Sequence, residues 1–387
     1  MALIRTLGEV YFYLRLRKAE RWGRERLEEE QLSSLRHVVE TAKETGFYQH
    51  HWQEDVEIQG LEDVEKLPYT DRNDLKQNPV EDFLTGEKPG YEADSTGGTS
   101  GRPLKIYHLK KQEDFFSGLF LRAIKKAGAG LTDRMAYYWY RDFDSRLYNR
   151  FILQKDRYTP ESGPREHLEK ILETEPDVLV FYPGILYELV KLMEERGIEM
   201  QPELVVLNSE LVTPHTYRYI DSFFECPVQD QYGLTETGQA AWGNPEDGYR
   251  IEEESVLPEF RETSQGDELV LTSLVKDGMP IIRYRTGDIV ENHHKEDGRT
   301  YLTRFLGRRD SFIEGFPPGE LVDPVLENSP RTKFVQLVKD GDLLEVRYRG
   351  KKPDISELRD RLETTVTCSG QEIYTTQTGS RPVVTEI

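Results

Sequence analysis

Residues 177–233 read DVLVFYPGILYELVKLMEERGIEMQPELVVLNSELVTPHTYRYIDSFFECPVQDQYG, and their pattern decides the fold. DVLVFY and LVVLN are short, continuous apolar runs, the signature of strands covered on both faces. PVQDQYG reads as a third strand. Between them, ILYELVKLMEERG and PHTYRYIDSFF carry apolar residues at helical spacing. Strands alternating with helices of this length predict a parallel α/β sheet.

The alternation extends upstream, with LKIYHL as a strand, KKQEDFFSGLFLRAIKKAGAG as a helix and MAYYWY as another strand. Residues 31–77 read as helix and loop. Downstream of residue 266 the texture changes: DELVLTSL, DGMPIIRYR, DIVENHH and RTYLTRFL look like short strands joined by Asp-Gly turns. The last part holds FVQLVKDGDLLEVRYRG, a hairpin about an Asp-Gly turn, and then a predicted helix, DISELRDRLETTV.

A chain of 387 residues suits two or three domains. Its 51 Lys and Arg against 71 Asp and Glu leave a net charge of −20, which argues against nucleic-acid binding, because phosphate neutralisation needs a local excess of cations. The excess is uneven: residues 307–387 hold 12 basic and 14 acidic side chains, so nearly all the negative charge precedes them. No apolar run is long enough for a membrane span. The first stretch, MALIRTLGEVYFYLRLRKAERWGRERLEEE, is broken by Glu9 and has no small-residue cleavage site, so no secretory signal is expected. Cys226 and Cys368 are too few for a disulfide framework. The expectation is a cytoplasmic protein.

Four segments carry candidate chemistry. Ser95-Thr96-Gly97-Gly98-Thr99-Ser100-Gly101 is a loop of glycines and hydroxyls whose N–H groups can wrap anionic oxygens, or a plain surface turn. It lacks the lysine of the GxxxxGK[ST] loop. In Tyr232-Gly233-Leu234-Thr235-Glu236, a Tyr at a strand end can lie against a base, and the Glu can reach a metal. A half-buried strand-to-turn junction is the bland alternative. In Tyr284-Arg285-Thr286-Gly287-Asp288, the Asp can accept two ribose hydroxyls, or close an ordinary turn. Gly307-Arg308-Arg309-Asp310 stands where the chain leaves the body for its last segment.

In this order the four segments resemble the signature motifs of adenylate-forming enzymes. The likeness is to the branch containing phenylacetate–coenzyme A ligase, coenzyme F390 synthetase and capsule-biosynthesis proteins. STGGTSGRPL, DQYGLTE, DELVLTSLVKDGMPIIRYRTGD and GRRD all match that branch, as does LPYTDRNDL upstream. The resemblance implies the adenylate-forming α/β fold: a large multi-sheet body, residues 1–306, and a small α+β cap, residues 307–387, hinged near Asp310. It implies ATP, Mg²⁺ and coenzyme A as cofactors and a small carboxylic acid as substrate.

Site roles follow from the same resemblance. Ser95 to Gly101 would hold the β- and γ-phosphates. Tyr232, beside Gly233, would stack on adenine, with Asn208, Ser209 and Glu210 lining that pocket. Glu236 would help hold Mg²⁺, Thr235 would contact the α-phosphate, Asp288 the ribose, and Arg308 ribose or phosphate. Tyr182, Pro183, Gly184 and Trp242 would line the acid pocket. One departure stands out: the family's C-terminal lysine is missing, since no lysine follows Lys352, and Arg381 is the nearby cation. Two alternatives accompany acid–coenzyme A ligation. One is transfer of AMP to a non-thiol acceptor, the other nucleotide binding without turnover.

Overall fold

The computed structural model describes residues 2–86, 91–95, 104–130, 132–140, 154–376 and 378–386. Helices α1 (Ala2–Ala19), α2 (Arg24–Ala42), α3 (Gly46–His51) and α4 (Arg72–Gln77) precede an antiparallel pair, β1 (Tyr91–Ser95) and β2 (Lys105–Leu109). The alternating part then runs α5 (Lys110–Lys126), β3 (Arg134–Tyr138), β4 (Gln154–Tyr158), α6 (Pro164–Thr174), β5 (Val178–Phe181), α7 (Pro183–Arg196), β6 (Leu204–Asn208), α8 (Pro214–Phe224) and β7 (Val228–Leu234). Next come β8 (Gly238–Asn244), β9 (Gly248–Ile251), β10 (Val256–Thr263), β11 (Gly266–Ser273), β12 (Tyr284–Val290), β13 (His293–Glu296), β14 (Arg299–Leu302) and β15 (Phe305–Arg308). The chain closes with α9 (Pro318–Glu327), β16 (Thr332–Asp340), β17 (Leu343–Gly350), α10 (Ser356–Arg361), β18 (Thr365–Ser369) and β19 (Val384–Glu386).

The parallel sheet is the one the apolar runs predict. β4, β3, β5, β6 and β7 lie side by side in parallel, and β8, β9, β14 and β13 extend the sheet antiparallel. Every residue of β5 and β6 is buried, which explains why their sequences show no alternation. Pro183 opens α7 where no backbone N–H is needed, and Gly197, at φ +63°, ends it in the left-handed conformation. A second sheet, β10-β11-β12-β15, is antiparallel, and a third, β18-β17-β16-β19, forms the core of the last segment.

Several stretches differ from their sequence reading, among them DIVENHH, which divides between β12 and β13 in different sheets. DGMPIIRYR is a strand only from Tyr284 onward; Pro280 has no N–H to give a ladder, and Arg283 sits at φ +48°. RTYLTRFL splits between β14, which pairs with β9, and β15, which pairs with β12 in the other sheet. The predicted helix over residues 354–366 stops at Arg361, and the β-branched run Thr364-Thr365-Val366-Thr367 feeds β18, parallel to β17.

Strand alternation sends side chains to two separate cores. On one face Phe181, Leu207, Leu186 of α7 and Ile220 of α8 pack in a single cluster with Val335, Leu337, Val346, Leu358 and Val384 of the last segment. On the other face α5 places Phe120, Leu121 and Ile124 against Val178, Val180 and Val206. Helix α1 lies outside α5, and Phe12 crosses it at Gly118, where even a Cβ would come within 2.8 Å. The layers therefore run α1, α5, sheet, α7 and α8, then the third sheet. Among the described residues no helix is long and apolar enough to cross a membrane.

Candidate active site

The carboxyl ends of β5, β6 and β7 form a common edge, the usual ligand position in an open parallel sheet. At the end of β7, Tyr232 donates its hydroxyl to Asp288 Oδ2 at 2.7 Å, although 56 residues separate them. Asp288 stands in β12 directly across from Arg308 in β15. Burial raises the Asp288 carboxyl above its ordinary range, and the Arg308 charge opposes that rise. The same carboxylate is the chief cause that lifts Arg308 still higher, so the guanidinium stays charged. Gly287, at φ +76°, is needed twice: it takes a left-handed turn, and a Cβ there would lie 3.0 Å from Arg308 Nη2.

The Tyr232 ring stacks on Phe305, with centroids 4.0 Å apart and planes inclined by 22°, so one of its faces is already covered. Beyond it the chain turns at Thr235 into Glu236, which is buried and accepts the Tyr284 hydroxyl at Oε1 over 3.0 Å. No described residue donates to its other oxygen. Fully buried Lys276 directs Nζ to the Thr235 carbonyl oxygen at 3.4 Å. Asn208 and Gln231 are register partners at the ends of β6 and β7. Their side-chain oxygens, Oδ1 and Oε1, are buried without a hydrogen-bond donor. Two orphaned acceptors at one strand edge suit a ligand that brings N–H or O–H donors.

Beside this edge, Ser209 at φ +65° turns Glu210 toward α7. Glu210 accepts the Gly184 N–H at Oε2 over 2.9 Å and the Arg381 N–H at Oε1 over 2.5 Å. Burial pushes its carboxyl up to about 7, against the pull of those N–H groups and the Arg381 charge. Arg381 is only 7% exposed, and its Nη1 donates to Glu188 Oε2 of α7 at 2.6 Å. Arg349 joins the same carboxylate at 3.3 Å.

With this geometry the chain can be set beside known proteins. No family model matches it. It is 27% identical over 250 residues to the phenylacetate-coenzyme A ligase of Pseudomonas putida, an alignment covering 59% of this chain and 57% of that one. Protein CapK of Staphylococcus aureus is 21% identical over 318 residues, covering 74% of this chain and 66% of CapK. A crystal structure of 2-hydroxyisobutyryl-CoA ligase in the postadenylation state, in complex with 2-HIB-AMP, superposes with a TM-score of 0.74 at 17% identity, covering 93% of this chain and 89% of that one. In sequence the chain is similar to phenylacetate-coenzyme A ligases, and it shares the fold of 2-hydroxyisobutyryl-CoA ligase. It spans less than two thirds of the length of the ligase it matches in P. putida.

Against the superfamily motifs, the structure brings Tyr232, Gly233, Asp288 and Arg308 into one cluster, with Thr235 and Glu236 on the adjoining turn. The loop from Thr96 to Gly101 lies outside the described residues, and of Ser95 only the backbone is described. Asn208 sits at this edge. The Glu210 carboxylate is instead bound to the α7 N-terminus and the last segment. Tyr182, Pro183 and Gly184 do not share a pocket with Trp242. The first three are buried on the α7 face, where Tyr182 donates to the Thr378 carbonyl at 3.3 Å and a Cβ at Gly184 would meet the Phe334 ring at 2.7 Å. Trp242 lies on the α5 face against Phe120. Strand alternation separates them.

Arg381 also departs from its expectation as a stand-in for the missing lysine. Its guanidinium is committed to Glu188, and its backbone to Glu210. Asp310 is exposed, and Lys339 donates to the carbonyls of Asp310 and Phe312 at 2.8 and 2.9 Å, tying that stretch to β16. The sequence reading missed Tyr284, Phe305, Lys276 and Glu188. Tyr284 opens the very motif that contains Asp288, and Lys276 is a lone cation in the run LTSLVKDGMPI; these two were findable. Phe305 and Glu188 carry no local signal.

Proposed function

We propose that the chain activates a small carboxylic acid with ATP and passes the acyl group to coenzyme A. A carboxylate oxygen attacks the α-phosphorus, the α–β anhydride bond breaks, and pyrophosphate leaves. The thiol sulfur then attacks the acyl carbon, and AMP departs. The observation that carries this reading is the Tyr232–Asp288–Arg308 cluster at the carboxyl edge of the sheet, beside orphaned Asn208 and Gln231.

In this reading the uncovered face of Tyr232 takes adenine, Asp288 exchanges its Tyr232 contact for ribose hydroxyls, and Arg308 faces the phosphates. The motif Ser95–Gly101 is the part of the sequence assigned to those phosphates. Glu236 suits Mg²⁺: it offers a hard oxygen to which no described residue donates, and this ion draws most of its ligands from phosphate and water. When bound, the ion would neutralise phosphate charge. The side chains on the α5 face, Phe120 and Trp242, are the better candidates to line the acid pocket. Residues 307–387 act as the cap.

A second reading, binding without turnover, is favoured by the commitment of Arg381 to Glu188. Acid-dependent ATP–pyrophosphate exchange over a carboxylate panel, with and without coenzyme A, separates the readings. Exchange with thioester formation supports ligation. Exchange with AMP moved to another acceptor replaces coenzyme A, and no exchange with any acid supports binding alone.

A further inference from the structure

Helix α1 presents apolar side chains to two opposite sides. Inward, Phe12 and Leu16 pack against Phe115 and Leu119 of α5. Outward, Leu7, Tyr11 and Leu14 are 62%, 60% and 55% exposed. Their spacing of four and then three residues aligns them in one stripe along the helix, and Lys18, four residues on, continues it. The other large exposed apolar side chains, Tyr69 and Leu172, stand singly on other segments. Among the described residues the stripe is the one such cluster.

Charge singles out the same helix. Residues 1–22 hold five Lys and Arg against two Asp and Glu, in a chain whose net charge is −20. Arg17, Lys18 and Arg21 are exposed and form no ion pair among the described residues. Arg15 meets only Glu30, at 3.6 Å. The neighbouring end of α5 adds Lys125, bonded to the Ala129 carbonyl, and Lys126, which pairs with Glu20 at 3.1 Å. Carboxylates outnumber cations in the protein as a whole, yet Arg17, Lys18 and Arg21 at one end of one helix pair with none among the described residues.

An apolar stripe that ends in unpaired cations fits a surface that is apolar beneath and anionic above. We propose that α1 docks the protein on an anionic lipid bilayer, lying flat in the headgroup layer. Leu7, Tyr11 and Leu14 enter the acyl boundary, while Lys18, Arg17 and Arg21 reach headgroup phosphates. A second copy of the chain is a poorer occupant. The stripe has no carboxylate to meet Lys18 of a partner, and no other apolar cluster among the described residues could cover it. Because α1 is the outermost layer opposite the third sheet, docking leaves residues 307–387 on the side away from lipid. The inference is independent of the reaction proposed above.

The test is flotation of the full chain with phosphatidylcholine vesicles, with and without phosphatidylglycerol. Binding to the anionic vesicles should exceed that to neutral ones by about tenfold or more and should weaken with added salt. Combined Leu7→Ser, Tyr11→Ser and Leu14→Ser should abolish binding without lowering the melting temperature, since these side chains are exposed. Lys18→Glu with Arg21→Glu should remove the anionic preference, and decides the matter should the triple variant fail to fold. Equal binding to both vesicles, no binding to either, or unchanged binding of both variants overturns the proposal. So does a wild-type dimer in light scattering that the triple variant loses.

Discussion

Arg381, six residues before the end of the sequence, closes a buried 2.6 Å ion pair on Glu188 in the middle of α7. Both side chains are under one tenth exposed. Removing one partner of such a pair strands the other, at a cost of about 3–5 kcal/mol. Arg381→Ala should therefore lower unfolding free energy toward the smaller end of that range, because Arg349 still faces Glu188. Urea titration measures it. A change near zero would mean the pair is open to water in solution.

The Glu210 carboxyl offers a pH-dependent test. Its ordinary value of 4.5 is pushed up to about 7 in the folded chain. The folded state then holds a proton that the unfolded state has released, so stability falls as pH rises from about 4.5 to about 7 and is level above that. Glu210→Gln removes this contribution. Melting temperatures of the two proteins should converge or cross across that window, with wild type losing ground as pH rises. Parallel curves would show that the carboxyl titrates normally.

Asp288→Ala removes the acceptor of Tyr232 and the counter-charge of Arg308. If Asp288 also receives ribose hydroxyls, ATP binding should weaken by about tenfold or more, the equivalent of roughly 1.5–3 kcal/mol for a hydrogen bond to a charged group. Calorimetric titration with ATP reads this directly. Unchanged affinity would leave Asp288 as a tether for Tyr232 and Arg308 alone.

Glu236→Gln keeps an acceptor for the Tyr284 hydroxyl while deleting the charge. The fold should survive with a change of about 1 kcal/mol or less, but Mg²⁺-dependent pyrophosphate exchange should fall by about 100-fold or more. Exchange at the wild-type rate would remove Glu236 from the metal's surroundings.

How much of this was legible beforehand depended on whether the signal was local. VLVF and LVVLN announced buried parallel strands because both faces of the sheet are covered. Tyr232, Asp288 and Arg308 were marked by their motifs, and they do converge. The pocket around Tyr182 and Trp242 could not be read, because which face a residue takes depends on strand parity and register, and a motif states neither. RTYLTRFL carries one apolar pattern across a break at Thr303-Arg304 that only the two different pairing partners reveal. Helix α1 escaped notice because apolar residues on two opposite sides blur the helical period. Arg381 looked like a free cation, since its partner lies 193 residues away.

The cluster that joins Phe181, Leu186 and Leu207 to Val335, Leu337 and Val346 has a consequence for unfolding. A terminal segment with a private core can melt by itself, giving two calorimetric transitions. Here β16, β17 and β19 lose their apolar floor when α7 leaves, and α7 loses its cover when they do. Heating should therefore produce one cooperative endotherm, with its calorimetric and van't Hoff enthalpies in agreement. A protease should find no stable fragment ending near Gly307.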